Sequence, residues 1–199
     1  MAVTRERFDA GLTYDQFKAQ MARNRDRFEA NERHVEVDAA DLVAFRRLPR
    51  PLDVLVLAED WCGDVIANLP ILGRLAAESG KLNVRVFPRD QNLDLMDQYL
   101  NQGRFRSIPV FVFFDDQLNE VGRFVERPAS VTELRARRRR EIFARHPEWG
   151  SPDAPVGELP EDVQNQLAQA MAKVREETAA FGNHEVVREL RAIAERVQG

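Results

Sequence analysis

The sequence predicts an α/β fold, a mixed central β-sheet flanked by helices, with further helices at both ends. Three observations predict it. Between residues 52 and 127, short β-rich runs alternate with helical patterns in the order strand, helix, strand, helix, strand, strand. Strands alternating with helices imply a βαβ unit with a parallel pair, and the last two strands add an antiparallel hairpin. On either side the sequence is charged and helix-periodic. The expected organisation is therefore an N-terminal helical extension (1–51) packing on the core, a core (52–127), and a C-terminal helical extension (128–199).

Each element has a local reason. Thr13 and Gln16 make a capping box, and Phe17, Met21 and Phe28 recur at near-helical spacing. A second helix starts at Asp38, carries Leu42 and Phe45, and ends at Pro49-Arg50-Pro51. DVLVLA (53–58) reads as a buried strand. The helix after it puts Val65, Leu69, Leu72 and Ala76 on one stripe and stops at Ser79-Gly80. LNVRVF (82–87) is a second strand, and Asp90 to Leu100 spaces Leu93, Met96 and Leu100 as a helix closed by Gly103. PVFVFFD (109–115) and EVGRFVE (120–126) flank the turn residues DDQLN.

The C-terminal region is helical again. Ser130 and Glu133 make a capping box for a helix to Arg145. HPEWGSPDAPVGELP then reads as a Pro/Gly linker crossing a surface. A helix from Glu161 carries Val163, Leu167, Met171 and Val174; Gly182 is expected to break it before a last helix from His184 to Val197. The apolar stripe reads as core packing, with a homodimer surface as the alternative. RARRRR (135–140) holds five arginines in six positions. A solvated face paired with nearby acids is the simpler reading, and a docking patch for an anionic partner is the other.

Composition narrows the function classes. A chain of 199 residues with 44% apolar and 31% charged residues suits a soluble globular protein. A net charge of -4 gives no global bias toward nucleic acid or an anionic membrane. No apolar run approaches the ~20 residues of a bilayer span, and the N-terminus lacks an apolar signal core. One cysteine forbids an intrachain disulfide, and together these features favour a reducing cytosol and a cytoplasmic location. His34, His146 and His184 stand far apart, so no metal site is expected. Phosphate-binding glycine loops and nucleophile elbows are also missing from the sequence.

The single cysteine, Cys62, comes after a strand and opens a helix. Backbone N–H groups point outward there, and the helix dipole stabilises a thiolate, the reactive form. Gly63 permits close backbone approach and Trp61 supplies a wall. Trp61-Cys62-Gly63, with Pro70 eight residues past the cysteine, resembles the thioredoxin active-site helix. Arg106-Ser107-Ile108-Pro109 resembles the loop that carries that family's cis-proline before a strand. Over residues 52–127 the resemblance implies a thioredoxin-like three-layer sandwich. More narrowly, EDWCGD followed by RDQNLDLMDQYLNQGRFRSIP resembles a bacterial subgroup with a single active-site cysteine.

The resemblance implies Cys62 as the catalytic nucleophile of thiol–disulfide exchange. It implies Trp61, Gly63, Asp64, Arg106, Ile108 and Pro109 around the substrate, whose chain would pair with the Ile108 backbone. No cofactor is implied beyond glutathione as a co-substrate, and the partner is a protein or a small thiol. Three departures matter. Val65 stands where the family has its second cysteine, so an external thiol must resolve the mixed disulfide. Val56 stands at the buried carboxylate, and Asp64 replaces a proline. Glu59, Asp60 and Asp64 raise the Cys62 pKa, while Arg104 and Arg106 are the cations expected to offset them, leaving a thiol less acidic than in dedicated oxidoreductases. Asp64 reads first as a helix N-terminal carboxylate and second as a general base; Arg89-Asp90 reads as a structural pair. The rival function is a redox-inactive binding module using the same groove, and glutathione conjugation ranks last.

Overall fold

Four strands form one mixed sheet, β1 (Leu52–Ala58), β2 (Leu82–Pro88), β3 (Val110–Phe114) and β4 (Glu120–Val125), in the order β2-β1-β3-β4. The computed structural model describes residues 3–198. β1 pairs parallel with β2 and antiparallel with β3, and β3 with β4 makes the expected hairpin. Every residue of β3 is buried, as is all of β1 except Asp53. Continuous burial of this kind needs cover on both faces, which is why these strands are apolar throughout rather than alternating. The helical cover and the mixed sheet make the α/β fold that the strand order predicts, in the thioredoxin-like form that the resemblance implies.

Helix α5 (Gly63–Ser79) makes the crossover from β1 to β2. It buries Val65, Ile66, Leu69, Leu72 and Leu75, and Gly80 ends it in the left-handed conformation, with φ 64°. Four short helices precede the sheet: α1 (Arg5–Asp9), α2 (Tyr14–Gln20), α3 (Arg25–His34) and α4 (Ala39–Arg46). The Thr13 capping box forms with both reciprocal bonds. Phe17, Met21 and Phe28 are all buried but belong to no single helix; the chain leaves helical geometry at Met21 and turns through Asn24, at φ 55°. The anchor of this region is Tyr14. Its ring lies where a Cβ on Gly73 of α5 would stand 2.6 Å away, and its hydroxyl donates to Glu32 of α3 at 2.9 Å.

The helix expected over residues 90–100 is cut to α6 (Leu93–Met96), preceded by a 3-10 turn at Arg89–Gln91. Asn92 leaves helical geometry before it, the Gln98 and Tyr99 amides tighten to the Leu95 and Met96 carbonyls after it, and the Asn101 N–H then donates to the Phe105 carbonyl at 2.8 Å, folding the chain back through Gln102 and Gly103, both at positive φ. Tyr99 is buried, while Leu93 is exposed.

The chain divides into two compact units, 1–127 with 186–199, and 128–185. In the first, the C-terminal half of the last helix, α9 (Ala179–Gln198), joins the sheet core through Val186, Val187, Leu190 and Ile193. The second contains α7 (Ala129–Arg145), α8 (Glu161–Glu177) and a separate cluster around Phe143, Trp149, Val163 and Leu167. Three expectations change here. Pro128, not Ser130, caps α7; Ser130 lies inside it and its hydroxyl donates to Glu185. The Pro/Gly stretch is not a bare surface crossing, because Trp149 and Leu159 are buried and Trp149 stacks on His146 at 4.2 Å. The final break falls at Thr178, whose hydroxyl bonds back to the Val174 carbonyl at 2.7 Å, whereas Gly182 continues the helix through a 2.9 Å bond to Thr178.

Burial and the Glu32 charge hold the Tyr14 hydroxyl far above its ordinary pKa, and burial raises Tyr99 as well. An unfolded chain therefore releases these protons at lower pH than the folded one. Stability is complete below about pH 10, the ordinary tyrosine pKa, and falls as pH rises beyond it. Thermal melts across that range should show a shallower alkaline decline for Tyr14→Phe than for wild type. Gly73→Ala should cost about 1–3 kcal/mol by displacing the Tyr14 ring.

Candidate functional site

Cys62 is the N-cap residue of α5, with extended backbone at φ -83° and ψ 120°. Its position is set by the end of β1: residues 59–61 turn the chain, and the Cys62 N–H donates to the Glu59 carbonyl at 3.2 Å. The peptide bond between Ile108 and Pro109 is cis, and β3 begins directly after it. Helix start and proline loop meet at the sulfur, whose Sγ lies 3.4 Å from the Ile108 carbonyl oxygen. Cys62 is half-buried, Ile108 is buried, and Trp61 is 42% exposed. Val65 and Val56 are both sealed in the core.

The Cys62 thiol is pushed up from its ordinary pKa. Burial is the largest cause; the Val65 and Asp64 amides act against it, the Asp64 carboxylate adds to it, and Arg127 opposes it. A thiol pKa raised in this way leaves little thiolate at neutral pH. The direction agrees with the sequence expectation, but the cause is desolvation more than like charge.

Of the acids near Cys62 in sequence, two are turned to other partners. The Asp60 carboxylate accepts from the Ala22 and Arg23 amides at 2.7 and 2.8 Å, tying the site loop to the N-terminal region. Glu59 accepts from the Asp90 amide at 2.8 Å. Asp64 remains, 8% exposed and held by Arg127 at 2.6 Å. Arg127 also pairs with Glu126, whose carbonyl accepts from Asn68 at 2.9 Å and whose Oε2 accepts from Asn101 at 2.9 Å. Asp64 is thus an ion-paired, largely buried carboxylate rather than a free one at a helix start.

The expected cations sit elsewhere. Arg106 forms a two-nitrogen pair with Asp97 at 2.7 and 3.0 Å, and the Arg104 guanidinium lies 4.4 Å from the Phe105 ring centre. Arg127 is the cation that acts on Cys62. Sequence reasoning missed it because it stands 63 positions from Asp64 and carries no local signal. Arg89 links two predicted residues: its guanidinium lies 4.9 Å from the Trp61 ring centre and donates to the Arg106 carbonyl at 3.1 Å. It also pairs with Asp90 at 2.6 Å. Gly63 opens α5 beside them. Among the described residues no His, Cys, Asp and Glu side chains gather to hold a metal, and no helix is long and apolar enough to cross a membrane.

Similarity to known proteins decides the family. A family model described as thioredoxin matches residues 11–139, well over half of the chain. The chain belongs to the thioredoxin-like family. No curated protein matches this thioredoxin-like chain. Fifteen chains of solved structures match, two of which illustrate the shared fold. A Pseudomonas aeruginosa protein of unknown function, PA1234, superposes with a TM-score of 0.65 at 21% identity, over 98% of both chains. An HIV epitope-scaffold superposes with a TM-score of 0.65 at 19% identity, also over 98% of both chains.

Alkylation of Cys62 by iodoacetamide, measured against pH, should titrate above the ordinary thiol value of about 8.5. Asp64→Asn should move that midpoint down and Arg127→Gln should move it up. Arg127→Gln should also cost about 1–3 kcal/mol in denaturant unfolding, because it removes a charged hydrogen-bond partner from the mostly buried Asp64.

Proposed function

We propose that this thioredoxin-like protein carries out thiol–disulfide exchange through Cys62 alone, with glutathione or another small external thiol as resolver. The observation that carries this reading is the 3.4 Å approach of Cys62 Sγ to the Ile108 carbonyl, at a helix start beside the proline loop. An extended glutathionylated chain pairing with the Ile108 backbone would bring its mixed disulfide to Cys62. Trp61 and Gly63 would shape the approach, with Arg89 steadying the Trp61 ring.

The reaction has two steps. The Cys62 thiolate attacks the glutathione sulfur of a glutathionylated substrate; the S–S bond breaks, and the substrate leaves as a thiolate that takes a proton from water. A second glutathione thiolate then attacks the Cys62 adduct, forming oxidised glutathione and returning the Cys62 thiolate. Val65 cannot supply the second sulfur, so the second step needs the external thiol. Burial of the Cys62 thiol favours its protonated form, so the rate should climb as pH rises through the thiol midpoint.

A second reading, a redox-inactive binding module, draws on the raised thiol pKa together with the buried Val56 and Val65. Reduction of a glutathionylated peptide separates the two. Exchange predicts turnover that increases from neutral to alkaline pH and disappears in Cys62→Ser. Equal rates for wild type and Cys62→Ser at every pH would sink the exchange reading, and peptide binding retained by Cys62→Ser would then support the module.

A further inference from the structure

The 128–185 unit holds a groove of about 290 Å³ between α7 and α8, remote in sequence from Cys62. Arg138, Arg145, His146 and Lys173 line it with a single carboxylate, Glu177. Its apolar lining is Ile142, Ala170 and Val174. The cations are not equally occupied. Arg138 gives Nη1 to Glu141 at 2.9 Å, and His146 meets Glu148 at 3.1 Å while stacking on Trp149. Lys173 stands 4.0 Å from Glu177, at the limit of an ion pair. Arg145 uses Nε on the Glu141 main-chain carbonyl at 3.2 Å, and its guanidinium has no carboxylate partner among the described residues.

We propose that this groove binds a small phosphomonoester, with Arg145 and Lys173 on the phosphate and Ile142, Ala170 and Val174 against its apolar ester group. Charge supports this occupant. Arg145 and Lys173 against Glu177 leave the groove net positive, opposite in sign to the -1.5 to -2 that a phosphomonoester carries at about pH 7. The bond to the Glu141 carbonyl orients the Arg145 guanidinium, and a planar fork matches two phosphate oxygens at once. Size points the same way. The volume equals about ten waters at ~30 Å³ each, room for a phosphate and one ring. The rest of the arginine run has other contacts: Arg137 lies 3.9 Å from Glu141, Arg139 donates to the Ala154 carbonyl at 2.6 Å, and Arg140 stands 3.6 Å from Asp153.

Calorimetric titration of the full chain with phenyl phosphate tests the site. Saturable binding with Kd of about 0.1–1 mM is expected, weakened about tenfold by Arg145→Gln and by Lys173→Gln. Arg137→Gln, outside the groove, should bind as wild type, and raising chloride should weaken binding because these charges are exposed. Circular dichroism checks folding, and the exposed Lys173→Gln carries the test if Arg145→Gln does not fold. The proposal is overturned by no saturable heat, by equal binding of benzyl alcohol, or by unchanged affinity in the Lys173 variant. It is equally overturned if a single-stranded oligonucleotide binds and phenyl phosphate does not displace it.

Discussion

Antiparallel pairing of β1 with β3 is the constraint on which the site depends. The register sets Leu57 opposite Val110. The C-terminal end of β1 and the N-terminal start of β3, the two inner strands, therefore lie side by side at one end of the sheet. Trp61-Cys62-Gly63 comes just after β1 in the chain, and Ile108-Pro109 comes just before β3. Two segments 46 positions apart are brought within a hydrogen-bond length because two apolar strands bury each other. A shift of one residue would exchange every side chain between two differently packed faces, so packing of the core also holds the register of the site.

Electrostatics at Cys62 arise from the same burial. Desolvation dominates, and the helix-start amides compensate only in part. Val56 stands where the resemblance implies a buried carboxylate, and a largely buried carboxylate is instead found at Asp64, in the first turn of α5. Charge held there needs a counter-charge, and Arg127, just past β4, provides it. Asn68 and Asn101 fix Glu126 beside it, so the ion pair belongs to a network that also ties α5 to the end of the hairpin.

The N-terminal helices take part in building the site. Asp60 caps the Ala22 and Arg23 amides, and Asn24 returns a bond to the Asp60 carbonyl at 2.9 Å. Tyr14 and Phe28 hold α2 and α3 on α5. The loop carrying Trp61 and Cys62 is thereby fixed from both sides, by β1 behind it and by the 22–24 turn beside it. This agrees with a family match that begins at residue 11, well before the first strand.

Local signals were enough to read the four strands, the crossover helix with its glycine stop, the Thr13 capping box and the cysteine at a helix start. Each of these rests on residues a few positions apart, where periodicity, turn chemistry and capping act. Fold class came from their order. Tertiary structure decided the rest. It split the Phe17 to Phe28 pattern between two helices, shortened the 90–100 helix to residues 93–96, and moved the last break from Gly182 to Thr178. It also replaced Arg104 and Arg106 by Arg127 as the cation acting on Cys62. Charges pair with whatever the fold brings within reach, and chain separation carries no trace of that distance; apolar periodicity does carry one, because burial of a face is written at every turn.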